Sequence, residues 1–186
     1  MTMTVARTLP GYIAGTWTID PVHSEVGFSV RHMMVSKVRG KFTKFAGELV
    51  TTDDVLGSAV TAEIDLSSID TGQEQRDGHL RSMDFFDVEN HPLMTYRSTG
   101  LRQQGDDYVL DGELTLKGVT RSVPLNLTVN GFGPDAYGGT RAGFTATGEI
   151  NRQDFGVTWN AMLETGGVAV SDKVALQLEI EAILQA

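Results

Sequence analysis

Apolar and polar residues alternate with period two along most of this chain. Near the C-terminus Val174, Leu176, Leu178 and Ile180 alternate with Ala175, Gln177, Glu179 and Glu181. Val60, Ala62, Ile64 and Leu66 alternate with Thr61, Glu63 and Asp65, and Leu110, Leu114 and Leu116 stand opposite Asp111, Glu113 and Lys117. Val123, Leu125, Leu127 and Val129 oppose Asn126, Thr128 and Asn130. Ala142, Phe144, Ala146 and Ile150 oppose Arg141, Thr145, Thr147 and Glu149. Successive strand side chains point to opposite faces, so each segment predicts an antiparallel strand with one apolar face.

The first third is less regular. Val26, Phe28, Val30 and His32 share one phase. In 37–51, Val38 and Phe42 keep one phase and Phe45 and Leu49 the other, beside Gly40 and Gly47. That change predicts a bulge or coil that re-aims the strand. A short strand at 16–20 and another after Pro92 bring the total to about nine, most of them longer than the usual ~5–6 residues.

One segment, TGQEQRDGHLRSMDFF, prefers helix and predicts one short flanking helix near residues 72–86. Thr71 followed by Glu74 fits a capping box, and Asp77 precedes Arg81 by one helical turn. RQDFG, residues 152–156, predicts a second helical turn. The absence of repeats or linkers predicts one domain over 15–186. Residues 1–14 are expected to form a flexible arm, because terminal segments order only when something ties them down.

With so few helices, the apolar strand faces must meet each other, in a sandwich or in a sheet closed on itself. Closure also removes exposed edges. About eight strands enclose an interior that side chains fill or that holds one small ligand. Small residues interrupt the inward rows at Ala62, Gly112, Ala142, Ala146 and Gly148. They admit two readings: a partly empty interior completed by an apolar guest, or simple accommodation of twist and close backbone approach.

Composition narrows the function. Fifteen Lys and Arg against 24 Asp and Glu give a net charge of −9. That balance argues against nucleic acid and anionic membrane surfaces as partners, since both favour a basic face. The chain has no cysteine, which excludes disulfides, thiolate nucleophiles and Cys-ligated metals. The N-terminal segment carries no apolar run of signal-peptide length and no transmembrane stretch follows, so the expectation is a cytoplasmic protein without stable membrane insertion.

The densest candidate chemistry is RDGHLRSMDFFDVENHP, residues 76–92. His79 or His91 could serve as a general base oriented by Asp77, Asp84 or Asp87. Helix-face charge pairs followed by an Asp/Asn-rich turn account for the same residues without catalysis, and no nucleophile turn or oxyanion loop adjoins them. The four His (23, 32, 79, 91) lack metal-ligand spacing. His32, in phase with Val26, Phe28 and Val30, is either a satisfied buried imidazole or a polar marker in an apolar cavity. Met33, Met34, Met83, Met94 and Met162 suit either irregular core gaps or a surface that adapts to a flexible apolar partner.

The runs WTIDPVHSEVGFSVRHMMVSKVRGKFTKFAGEL, RDGHLRSMDFFDVENHP, GELTLKGVTRSVPLNL, INRQDFGVTWN and GGVAVSDKVALQLEIEA resemble, in order, the YceI-like family of polyisoprenoid-binding, lipocalin-like proteins. They cover nearly all of 16–184. The resemblance implies an all-β fold: an elongated eight-stranded antiparallel barrel with a helix across its side. It also implies an apolar tunnel for a polyisoprenoid or comparable lipid, no catalytic machinery, and often a homodimer.

The resulting expectation is a non-catalytic carrier that needs no cofactor or metal and holds a long prenyl or quinone-like chain. The alternatives are an enzyme acting on an apolar substrate and a structural barrel with a filled core. Strand phase places Phe28, Val30, Phe42, Ile64, Leu114, Phe144 and Trp159 on the cavity wall, with His32 as a polar contact. Met94 joins them, and the helix and its return turn add Leu80, Met83, Phe85 and Phe86.

Overall fold

The computed structural model describes residues 9–163 and 167–186, and twelve strands form among them. In chain order they are β1 (Gly15–Ile19), β2 (Glu25–His32), β3 (Ser36–Phe42), β4 (Phe45–Thr51), β5 (Ala59–Asp65) and β6 (Ile69–Asp70). After the helix α1 (Glu74–Arg81) come β7 (Leu93–Gln104), β8 (Asp107–Leu116) and β9 (Val119–Ser122). The last three are β10 (Leu125–Pro134), β11 (Thr140–Asn151) and β12 (Val170–Leu184).

Eight of these close on themselves, in the order β1–β4–β5–β7–β8–β10–β11–β12 and back to β1, all neighbours antiparallel. Closure depends on the length of β12. Its 15 residues pair with β11 along one edge, while the other edge is shared. Leu184 to Ala182 pair with β1, and Glu179 to Val170 pair with β2, from which β3 and β6 continue.

The exchange of partner occurs at Glu181, where backbone groups must be satisfied as one strand leaves and another arrives. Asp20 N–H donates to Glu181 O at 2.8 Å, and Ser24 Oγ accepts from Glu181 N–H at 3.0 Å. Outside this corner Arg141 reaches Asp20 (2.8 Å), Glu181 (3.1 Å) and Asp135 (3.0 Å), tying the Asp20–Ser24 turn to the β10–β11 hairpin.

Several expectations need correction. The coil expected at the phase change in 37–51 is present at Thr43–Lys44, but it separates two strands, β3 and β4, where one re-aimed strand was expected. The helix is shorter than 72–86, and Gln73 caps it without a side-chain hydrogen bond. The expected Thr71–Glu74 capping box does not form, because Thr71 instead gives both its N–H and its hydroxyl to buried Asp77. Asp77 is thereby unavailable to Arg81, which pairs with Glu74 at 3.2 Å and donates to Ser67 O. Of the expected N-terminal arm, 1–8 lie outside the described residues. The rest is anchored: the Tyr12 hydroxyl donates to Thr52 O at 2.6 Å and its ring meets Phe132 edge-on at 5.4 Å.

Candidate functional site

Register places the inward rows across three strands. Val30 faces Val174, which faces Ile150; Phe28 faces Leu176, which faces Gly148; Val26 faces Leu178, which faces Ala146. Next along the barrel Ile180 faces Phe144. A barrel of about eight strands is just wide enough for side chains to meet across its axis. Here they do not meet throughout. A cavity of about 290 Å³ remains, close to the lower end of ordinary small-ligand sites (roughly 300–1,000 Å³).

The cavity follows the barrel's length. Val30, Val170 and Val174 line one end; Leu9, Tyr12 and Phe132 line the other. The packed core is accordingly split. One cluster centres on Phe42, Leu66, Ile69, Phe85 and Phe155, and a second on Trp17, Ala142, Phe144 and Ala182.

Not every small inward residue creates this space. The Tyr96 ring occupies the room above Gly112, and Leu125 and Leu176 close over Gly148. Ala142 lies in the second packed cluster with Trp17. Ala62 and Ala146 do face the cavity, so both readings of the small residues hold, each at different positions.

Ten of the residues expected on the wall are there: Phe28, Val30, Phe42, Ile64, Leu80, Phe85, Phe86, Met94, Leu114 and Phe144. Phe28, Phe42 and Phe86 form an aromatic row with ring centroids 5.7 and 6.1 Å apart.

Three others lie elsewhere. Met83 is 79% exposed, because the helix ends at Arg81 and the return turn rotates it outward. His32 sits at the last position of β2, beyond Val30, and does not reach the cavity. Trp159 follows the turn Arg152–Phe155 and packs outside the wall, on His79 (4.8 Å) and Phe85 (5.3 Å). The wall also includes Tyr12, Tyr96, Phe132 and Leu125 and the inward row of β12. The alternation of β12 was itself sufficient to find Val174, Leu176, Leu178 and Ile180.

The larger polar side chains around the cavity give their donors to backbone carbonyls. Tyr96 donates to Val123 O at 2.9 Å, and burial pushes its phenol well above the usual range. Arg152, 4% exposed, spans four carbonyls: Val157 (2.8 Å), Trp159 (2.9 Å), Ser171 (2.9 Å) and Val170 (3.1 Å). The same burial lowers its pKa from the ordinary arginine value.

In the residue-rich stretch 76–92 the charged side chains pair locally and with neighbouring backbone. His79 Nε2 lies 2.8 Å from Asp84, and its ring meets Phe85 (5.1 Å) and Trp159 edge-on. The imidazole thus props the wall residue Phe85 from outside.

Asp20, His23 and Glu181 present donor atoms close enough to share a metal. Arg141 already supplies a cation to two of them, and His23 Nδ1 lies 2.7 Å from Asp20. The Arg141 guanidinium and then His23 hold the Asp20 carboxyl down to about 2.

The family pattern of the YceI-like domain matches residues 17–182. The protein YceI of Salmonella newport is 37% identical over 177 residues, 93% of this chain and 89% of that one. Among solved structures, Burkholderia cenocepacia BcnA superposes with a TM-score of 0.77 at 24% identity, covering 88% of this chain and 98% of the other. A polyisoprenoid binding domain from Saccharophagus degradans, implicated in plant cell wall breakdown, gives 0.67 at 16% identity, covering 91% and 98%.

Proposed function

The chain belongs to the YceI-like family, and on that premise we propose that it is a carrier that holds one long apolar chain inside the barrel without acting on it chemically. The observation that carries this reading is the elongated cavity, walled almost entirely by apolar side chains. An empty apolar void costs stability in proportion to its volume, and a guest chain restores the missing dispersion contacts. The structural neighbour that binds polyisoprenoid favours a prenyl or quinone-like lipid as the guest.

The reading also accounts for the polar groups. Tyr12, Tyr96 and Arg152 border the cavity, and each spends its donors on backbone carbonyls. A long flexible guest recognised by shape and apolar area needs no further polar contact. The ten wall residues named above are its proposed contacts.

Expression in a prenyl-lipid-rich host, followed by solvent extraction of the native protein and mass spectrometry, tests the proposal. Recovery of a prenyl or related long-chain lipid in near-equimolar amount is expected. An extract without such a lipid counts against it.

A further inference from the structure

The net charge of −9 conceals a strong local asymmetry. Residues 26–47 hold five of the chain's 15 Lys and Arg and none of its 24 Asp and Glu, leaving −14 on the rest. Those five are Arg31, Lys37, Arg39, Lys41 and Lys44, all exposed. Register puts most of them on one surface. Arg31 lies opposite Lys37, Ser29 opposite Arg39 and Gly27 opposite Lys41, while Val26, Phe28 and Val30 point the other way into the cavity. The outer face of the β2–β3 hairpin is therefore a basic ribbon.

Acids do border it. Asp70 stands opposite Lys41 in strand register, Glu25 and Glu179 lie at the end away from the tip, and Asp172, which pairs with Arg152, lies with Lys173 in the β12 bulge opposite Arg31. None of the five cations is in an ion pair among the described residues.

The tip of this hairpin is apolar. Met33, Met34 and Val35 are 45%, 63% and 84% exposed. Met33 and Met34 sit at φ 52° and 61°, a region that L residues with side chains rarely adopt, and their side chains stay partly in solvent, Met34 resting its thioether against Gly167. Beside them Met162, 85% exposed, bridges to Val168, and Met33 N–H donates to Ala169 O at 2.8 Å. The β2–β3 tip and the Met162–Val168 bridge thus form one apolar cap among the described residues, rich in unbranched thioethers that adapt to a fluid surface. The cap stands at the Val30–Val170 end of the cavity.

We propose that the β2–β3 hairpin docks the barrel on an anionic lipid bilayer, with Met33, Met34 and Val35 entering the interface and Arg31, Lys37 and Arg39 meeting the headgroups. Peripheral binding of this kind scales with apolar area inserted plus attraction to anionic lipid. A second copy is a poor occupant, because a two-fold contact would set the cations against themselves. Docking in this orientation brings the Val30–Val170 end of the cavity toward the phase in which long apolar lipids dissolve. The proposal goes beyond carriage and does not depend on which lipid is carried.

Sedimentation with vesicles tests it, using phosphatidylcholine alone and equal parts phosphatidylcholine and phosphatidylglycerol. The wild type is expected to bind the mixed vesicles, to ignore the neutral ones, and to weaken as salt rises. Lys37→Ser with Arg39→Ser should reduce partitioning by roughly 25-fold, about fivefold for each cation removed. Met34→Asn with Val35→Ser, where Asn tolerates the backbone at 34, should reduce it as well. Arg97→Ser with Arg121→Ser, an equal charge change on other strands, should leave it intact.

Failure of the wild type to bind mixed vesicles, or equal losses in the control pair, overturns the proposal. So does equally tight binding to duplex DNA that survives the Met34/Val35 change, or a dimer that the same change dissolves. Lipid content is measured on the same preparations. A wild type that carries its lipid but ignores vesicles removes docking and leaves the carrier reading standing.

Discussion

Tyr96 on β7 fills the space above Gly112 on the adjacent strand β8, and its hydroxyl donates to Val123 O at 2.9 Å. The pair is diagonal, Ser98 being the residue directly opposite Gly112. One aromatic side chain thereby closes a section of interior that a glycine leaves open. Any Cβ at 112 collides with the ring. Gly112→Ala is expected to cost about 1–3 kcal/mol by overpacking. Thermal unfolding checks this, and a Tm within a degree of wild type would contradict it.

The cavity wall gives the opposite expectation. Ala146 lines the cavity between Leu178 on β12 and Leu127 on β10, so a larger apolar side chain there projects into that space. Ala146→Phe should fold and keep its Tm, while bound lipid falls at least tenfold. Phe144→Asp should also abolish uptake, at a cost of several kcal/mol for a buried carboxylate. Lipid per chain, quantified after extraction, decides both. Unchanged uptake in the Phe variant would place the guest elsewhere.

Arg152 is expected to be a stability residue. Arg152→Met removes the donors of four backbone carbonyls, an expected loss of about 3–5 kcal/mol. Denaturant titration measures it, and a loss under about 1 kcal/mol would mean that water replaces the guanidinium.

The corner at Glu181 predicts an acid limb. Asp20 has a folded-state pKa lowered from 3.8 to about 2, so its contribution is present above the unfolded value and disappears as pH falls through the folded one. Stability should therefore decline between about pH 4 and pH 2. Asp20→Asn should be less stable at neutral pH and show a flatter profile across that window. Parallel profiles for the two proteins would exclude Arg141–Asp20 as the source.

His79→Ala separates support from catalysis. It removes the ring contacts to Phe85 and Trp159, worth about 0.5–1.5 kcal/mol, or a few degrees in Tm. Lipid content should stay within twofold of wild type. Loss of a catalytic turnover by orders of magnitude would instead restore the general-base reading of this segment.

The long strands were legible because one face is buried along their whole length. The alternation of Val174–Ile180 and Ala142–Ile150 reads directly onto the inward rows of β12 and β11. Short-range chemistry was less legible, since partners depend on tertiary position. Thr71 has Glu74 at capping distance in sequence, yet Asp77 reaches it first. Phase also fails at strand ends: His32 continues the Val26–Val30 alternation but lies past the cavity.

Volume was the least legible property. Ala146 and Gly148 are both small and both inward, but Ala146 lines the cavity whereas Leu125 and Leu176 close over Gly148. The basic segment was visible in the sequence all along, hidden by a net charge summed over the whole chain.

Native mass spectrometry of the intact chain, purified without detergent from a prenyl-lipid-rich host, tests the central claim most directly. One long-chain lipid bound per chain in the wild type, absent in Ala146→Phe, is the result expected. A wild type that flies only at the mass of the bare polypeptide, under conditions that preserve a known lipid complex, would contradict the account.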